Sequence, residues 1–267
     1  MTYTDFIEKT LLETSKIALA NFGKVKGRIK KEDKSQVLTD TDIEIGNYVI
    51  SEIKKNFPDH NIIDEEAGVV DNGSQFTWVV DPIDGTSNFA VGVVTYGIMI
   101  GLLQKNTPIS GGLSLPSLKE IIIAQKEKGA FLNGKKTKVN EETDLNKVLI
   151  SIGTDPNEED PELFREQMRI VAEILLSCQN LRTSNSVFDE AMAAKGSYGG
   201  TLLFSSKIWD NVASQIIIEE AGGIFTDLLG KPVDYSNPFE RTRQNFTSCA
   251  AAPVIHKKLQ KIIHNTD

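Results

Sequence analysis

WVVDPIDGTSNF, residues 78–89, begins as an apolar strand and closes as the start of a helix, with two acids between. The run Trp78-Val79-Val80 is strand-like, and it delivers Asp81 at its end. Pro82 fixes the backbone of a tight turn. Asp84 returns a second carboxylate, and the Ile83 carbonyl between them can face the same side. Gly85 permits close approach of backbone to a ligand. Thr86 then opens a short helix whose free N–H groups suit a phosphate. Carboxylates, a carbonyl and a hydroxyl converging on one small volume are hard oxygen donors of the kind Mg²⁺ takes.

Asp, Pro and Gly also favour ordinary turns, so this stretch alone does not decide the chemistry. Further acids weigh toward a site. Glu65-Glu66 follow the apolar pair Ile62-Ile63. Asp42 ends the run Thr39-Asp40-Thr41-Asp42 where a helix begins. Asp210 follows Trp209 and opens NVASQIIIEEAGG. Each has a plainer reading: a solvated loop for the glutamates, and helix capping for Asp42 and Asp210.

Around this centre the chain alternates helices with strands. Ile7, Leu11, Ala18 and Phe22 predict a helix over 5–22 that stops at Gly23. A charged stretch follows over 24–34. A second helix starts at Thr39 or Asp40, presents Ile43, Val49, Ile50, Ile53 and Phe57 as its apolar face, and ends before Pro58. Between 95 and 150, YGIMIGLLQ, ISGGLSL, EIIIAQ, GAFL and VLISI are runs of strand length that predict a largely antiparallel sheet. Asn133-Gly134 is a hairpin signal after GAFL. Helices are expected from Pro161 to about Cys178, over 187–196, from near Asp210 to Gly222-Gly223, and over 254–264. The pattern argues for a layered mixed α/β or α+β fold.

The chain has 267 residues, 40% hydrophobic and 25% charged, with a net charge of -8. That balance suits a globular protein and disfavours a nucleic-acid backbone as partner. The two cysteines, Cys178 and Cys249, have no zinc or redox spacing and read as reduced core thiols. A cytoplasmic location fits them, the start lacks a signal pattern, and no apolar run is long enough for a bilayer. His60, His256 and His264 form no pattern and are expected at the surface.

WVVDPIDGTSNF and WDNVASQIIIEEAGG resemble the two signatures of the inositol monophosphatase family. IIDEE, DPIDGT, GAFLNGKK and WD follow in that family's order, and the resemblance covers about residues 5–260. It implies a layered αβαβα sandwich, a single phosphatase unit over 1–267 with approximate subdomains 1–150 and 151–267, and a homodimer. It implies two or three Mg²⁺ per active site. Residue by residue, it makes Glu65, Asp81, the Ile83 carbonyl, Asp84 and Asp210 metal ligands. Thr86, paired with Asp42, would orient the attacking water together with Glu65, and the Gly85 and Thr86 amides would cradle phosphate. A lysine near the phosphate falls best on Lys31, with Lys30 and Lys34 as alternatives.

Electrostatics agrees with this assignment. Carboxylates crowded in one pocket repel and hold protons unless cations neutralise them. Divalent metal then generates a hydroxide-like nucleophile and stabilises the leaving alkoxide.

Departures from the family pattern fall on the leaving-group side. Leu203 stands where inositol-specific members carry a glutamate, Asn185 where the family has glycine, and Val187 where it has alanine. The expected function is Mg²⁺-dependent hydrolysis of a small phosphomonoester, inositol 1-phosphate or a related polyol or sugar phosphate. The alternatives are 3′-phosphoadenosine 5′-phosphate or fructose 1,6-bisphosphate as substrate, and a non-catalytic metal- or phosphate-binding regulator.

Overall fold

The computed structural model describes residues 1–30, 37–156 and 160–265. The first half of the chain runs α1 (Tyr3–Asn21), β1 (Arg28–Ile29), β2 (Val37–Leu38), α2 (Asp40–Asn56), β3 (Asn61–Asp64), β4 (Gly68–Val70), β5 (Phe76–Asp84) and α3 (Thr86–Val91). It continues through β6 (Gly97–Gln104), β7 (Thr107–Leu115), β8 (Glu120–Gln125), β9 (Gly129–Leu132) and β10 (Lys135–Lys136). The second half contains β11 (Leu149–Gly153), α4 (Pro161–Ser177), β12 (Asn180–Arg182), α5 (Phe188–Ala194), β13 (Gly200–Ser206), α6 (Ile208–Glu220), β14 (Ile224–Thr226), β15 (Phe246–Ala251) and α7 (Pro253–Asn265).

Two large sheets organise these elements. One has the order β10-β9-β8-β7-β6-β5-β3-β4, and the other β12-β11-β13-β15-β14. Apolar faces dictate how they stack. Phe6, Ile7 and Leu11 of α1 and Ile45, Val49 and Ile53 of α2 are buried with Trp78, Val80 and Ile100 of the large sheet. On its opposite face, Leu113 and Ile122 meet Ala191 of α5 and Ile216 and Ile217 of α6, which also reach Phe225 and Ala250 of the smaller sheet. Ile174 of α4 and Ile255 and Leu259 of α7 close the far side over Ile150 and Leu202. The result is the expected αβαβα sandwich, each layer burying the apolar face of the next.

Local signals explain several boundaries. Thr39 is the N-cap of α2, and Asp42 completes a capping box with it. Asn133 and Gly134 both have positive φ, 47° and 76°, and join Leu132 to Lys135 as a tight hairpin, as type I′ geometry requires. Both cysteines are free and buried.

Four expectations change. VLISI does not join the antiparallel sheet: β11 lies in the second sheet, parallel to β12 and β13. Ile43 is exposed, and the inner face of α2 is Ile45, Val49 and Ile53. His60 sits among Phe57, Phe76 and Trp78, where its Nδ1 accepts from Trp78 Nε1, and His256 is buried beside Thr226. Pro82 does not form a tight turn. Strand β5 continues to Asp84 through a bulge, since Asp81 pairs with Met99 and Asp84 with Gly97.

Candidate active site

That bulge builds the centre of the site. Residues three apart on a regular strand point to opposite faces. Here the three steps from Asp81 to Asp84 oppose two steps on β6. The extra residue rotates the chain and brings both carboxylates to one side, and proline is tolerated at such a position. Strand β3 runs parallel to β5 with Asp64 opposite Val80, so Glu65 emerges beside Asp81. Helix α6 supplies Asp210 from its first turn, where Lys207 N–H donates to Asp210 Oδ2 across 2.6 Å. Asp210 therefore caps its helix and lines the pocket at once.

Carboxylate oxygens of Asp81, Asp84 and Asp210 lie within 4.8 Å of one another. Asp81 is buried, and its Oδ1 has no hydrogen-bond partner among the described residues. Burial, then the charge of Glu65 and of Asp84, pushes the Asp81 carboxyl well above its usual range. Asp84 is pushed the same way by burial and by Asp210. Three hard oxygen donors that repel one another, one with an orphaned oxygen, fit a divalent cation such as Mg²⁺.

Glu65 lines the same pocket outside that triad, and Lys30 Nζ reaches Glu65 Oε1 and Glu66 Oε1 at 2.7 Å each. Burial alone would lower the pKa of Lys30; the two glutamates outweigh it and hold the ammonium charged. Among the described residues, Lys30 is thus the lysine of the 24–34 stretch that meets Glu65 and Glu66, while Lys207 lines the pocket itself. Lys31 and Lys34 lie outside the described residues.

Asp42 uses its two oxygens for two jobs. Oδ2 accepts the Thr39 backbone N–H at 2.8 Å, capping α2, and Oδ1 accepts from Thr86 Oγ1 at 3.0 Å. Burial raises the Asp42 carboxyl to about 6, against the hydrogen bonds from Thr39 and Thr86. Gly85 is the N-cap of α3 at φ 84°. A Cβ there would stand 2.7 Å from Ser186 Cβ, so the position admits no side chain.

The other wall comes from the second sheet. Strands β11 and β13 are parallel with Gly153 opposite Leu203, so Asp155, just past the carboxyl end of β11, comes to the same wall as Leu203; open α/β sheets bind ligands outside such strand ends. Leu203 lines the pocket at 8% exposure. Asn185, at φ 51°, also lines it and donates from Nδ2 to Asp155 Oδ1 across 3.0 Å. Val187 borders the pocket, and its backbone N–H donates to Asp84 Oδ2.

Two acids in the pocket escaped the sequence reading. Asp155 follows an apolar strand and precedes Pro156, the same arrangement as Asp81-Pro82, and that parallel could have found it. Glu190 lies one helical turn after Val187 on an apolar helix face, a position that an acid seldom occupies without a role.

A family model described as the inositol monophosphatase family matches residues 2–265. The chain is 30% identical over 240 residues to a fructose-1,6-bisphosphatase/inositol-1-monophosphatase of Aquifex aeolicus, covering 86% of this chain and 89% of the relative. It is 31% identical over 193 residues to the Nus factor SuhB of Xylella fastidiosa, covering 72% and 69%. Among solved structures, the Thermotoga maritima IMPase superposes with a TM-score of 0.86 at 25% identity, covering 100% of this chain and 98% of that one.

Proposed function

Because the chain belongs to the inositol monophosphatase family, we propose that it is a Mg²⁺-dependent phosphomonoesterase acting on inositol 1-phosphate or a related polyol or sugar phosphate. The observation that carries this reading is the triad Asp81, Asp84 and Asp210, three carboxylates within 4.8 Å in a pocket. With Glu65 and the Ile83 carbonyl they would hold two or three Mg²⁺. The cations would supply an activated water and charge stabilisation for the leaving oxygen.

The chain's own groups divide the remaining work. The Thr86 hydroxyl, held by Asp42, would fix the attacking water by accepting one of its protons. Backbone N–H groups of Gly85 and Thr86 would hold the phosphate oxygens, and the bare Cα of Gly85 lets the phosphate approach. Phosphoryl transfer depends mainly on such positioning and charge stabilisation, so the site needs no covalent nucleophile. Asp155, Asn185 and Leu203 would face the leaving group. An acid and an amide suit hydroxyls, while Leu203 adds an apolar wall.

The Aquifex relative's name couples two substrates, which favours a pocket open to sugar bisphosphates as well as inositol phosphates. The Xylella relative is named a Nus factor, so a regulatory role is a second reading. The intact acidic triad favours turnover over that role alone. A phosphate-release screen with Mg²⁺ over inositol, sugar and nucleotide phosphates tests the proposal. Release from an inositol or sugar phosphate is expected; no release from any ester would leave the regulatory reading.

A further inference from the structure

Glu190 is a buried acid that the mechanism above does not use. It is 3% exposed and borders the active pocket. Its Oε2 is buried with no hydrogen-bond partner among the described residues. An orphaned carboxylate oxygen in the interior is costly unless a donor or cation completes it.

Helix α5 aims this group at one place. Val187 N–H already donates to Asp84 Oδ2, and residues three apart on a helix share a face. Glu190 therefore stands on the side of α5 that caps Asp84. Lys195, further along, ties to Glu120 of β8 at 2.7 Å and fixes the helix against the large sheet. Burial pushes the Glu190 carboxyl well above its usual range, and the negative charges of Asp84, Asp189 and Asp210 push it the same way. Asp189, its neighbour, turns one oxygen to the Ser184 N–H at 2.9 Å and does not line the pocket as Glu190 does. Glu190 thus lines the same pocket as Asp84 and Asp210, on the helix whose start meets Asp84.

We propose that Glu190 is a positioning residue of the metal centre, whose free oxygen accepts a hydrogen bond from water on the cation held by Asp84 and Asp210. This rests on the metal-dependent reading above. A water-bearing cation is the complement that supplies both the missing donor and the missing positive charge. A substrate hydroxyl is less suited, because Asp155, Asn185 and Leu203 mark the leaving-group side while Glu190 is almost wholly buried. Partners of metal ligands of this kind tune metal affinity about 10–100-fold.

The test measures Mg²⁺ binding by isothermal titration, melting temperature with chelator or Mg²⁺, and kcat and KM for inositol 1-phosphate, for wild type, Glu190→Gln, Glu190→Asp and Asp84→Asn. Glu190→Gln should weaken Mg²⁺ binding about tenfold or more, yet melt no lower than wild type in chelator, because it removes a buried acid among acids. Glu190→Asp keeps the charge and should recover part of the affinity. Unchanged Mg²⁺ affinity in Glu190→Gln, with Asp84→Asn impaired, overturns the role of Glu190 alone. So does a change confined to KM, which would mark a substrate contact. No Mg²⁺ binding by wild type overturns both this inference and the function it rests on.

Discussion

The Thr86 hydroxyl donates to Asp42 Oδ1 across 3.0 Å, tying the loop after β5 to the first turn of α2. Thr86 Oγ1 also lies 2.8 Å from the Ile83 carbonyl oxygen. One hydroxyl proton cannot serve both acceptors at once. A cation on the Ile83 carbonyl would settle the competition, committing the Thr86 proton to Asp42 and leaving lone pairs of Oγ1 toward the pocket. Asp42→Asn keeps the capping geometry but can present an amide to Thr86, misdirecting that proton. It should lower kcat by about 10²-fold, the scale of a lost proton-positioning group. Mg²⁺ affinity should change little, because Asp42 is outside the triad. Steady-state kinetics with Mg²⁺ titration check this; an equal loss in both would make Asp42 a metal ligand instead.

Buried acids also set how the metal-free fold responds to pH. Asp64 is 1% exposed, and burial raises its carboxyl to about 6, against hydrogen bonds from Ala67 and Glu66 N–H. A raised folded-state pKa means that the folded chain binds the proton more tightly than the unfolded chain, whose carboxyl titrates near 4. The stability contributed is present in full below about 4 and lost as pH rises through about 6. Asp64→Asn should remove that share of the slope. In chelator, the melting temperature of wild type relative to the variant should fall between about pH 4 and 6. A constant difference across that range would show that Asp64 does not titrate there.

Leu203 carries the specificity expectation. It borders the pocket rather than lying wholly within the core, opposite Gly153, where an added Cβ would stand 2.5 Å from Leu203 Cδ2. Leu203→Glu should raise kcat/KM for inositol 1-phosphate relative to other monoesters by about tenfold, the worth of one gained hydrogen bond. The melting temperature is measured alongside, since a carboxylate forced against Gly153 without a partner would destabilise the fold. An unchanged substrate profile in a folded variant removes Leu203 from the specificity determinants.

Much of this architecture was readable because its signals are local. The caps at Thr39 and Asp42, the Asn133-Gly134 hairpin, the apolar face of α1 and the start of α4 at Pro161 each follow from a few neighbouring residues. The acids of the pocket were readable because strand ends and helix starts bear them. What was missed depends on distant pairing. Nothing near VLISI says that it will lie parallel to β13 rather than follow its predecessors into the large sheet. The bulge at Pro82 is set by β6, and its tight-turn reading was the local one. Glu190 needs the second sheet and α5 docked beside Asp84 before its buried oxygen acquires meaning. His60 looked solvent-facing until Trp78, eighteen residues later, supplied its donor.

Asp84 bears one of the triad's carboxylates and is reached by Val187 N–H. Asp84→Asn keeps the size and removes the charge. The decisive measurement is Mg²⁺-dependent phosphate release from inositol 1-phosphate and fructose 1,6-bisphosphate by wild type and Asp84→Asn, each with Mg²⁺ or excess chelator. Wild type should turn over at least one ester with Mg²⁺ and none in chelator, and the variant should lose about 10²-fold or more in kcat, the scale of several kcal/mol of metal-supplied charge stabilisation. Full turnover in chelator, or a variant with wild-type rate and wild-type Mg²⁺ affinity, would contradict a metal centre built on these carboxylates.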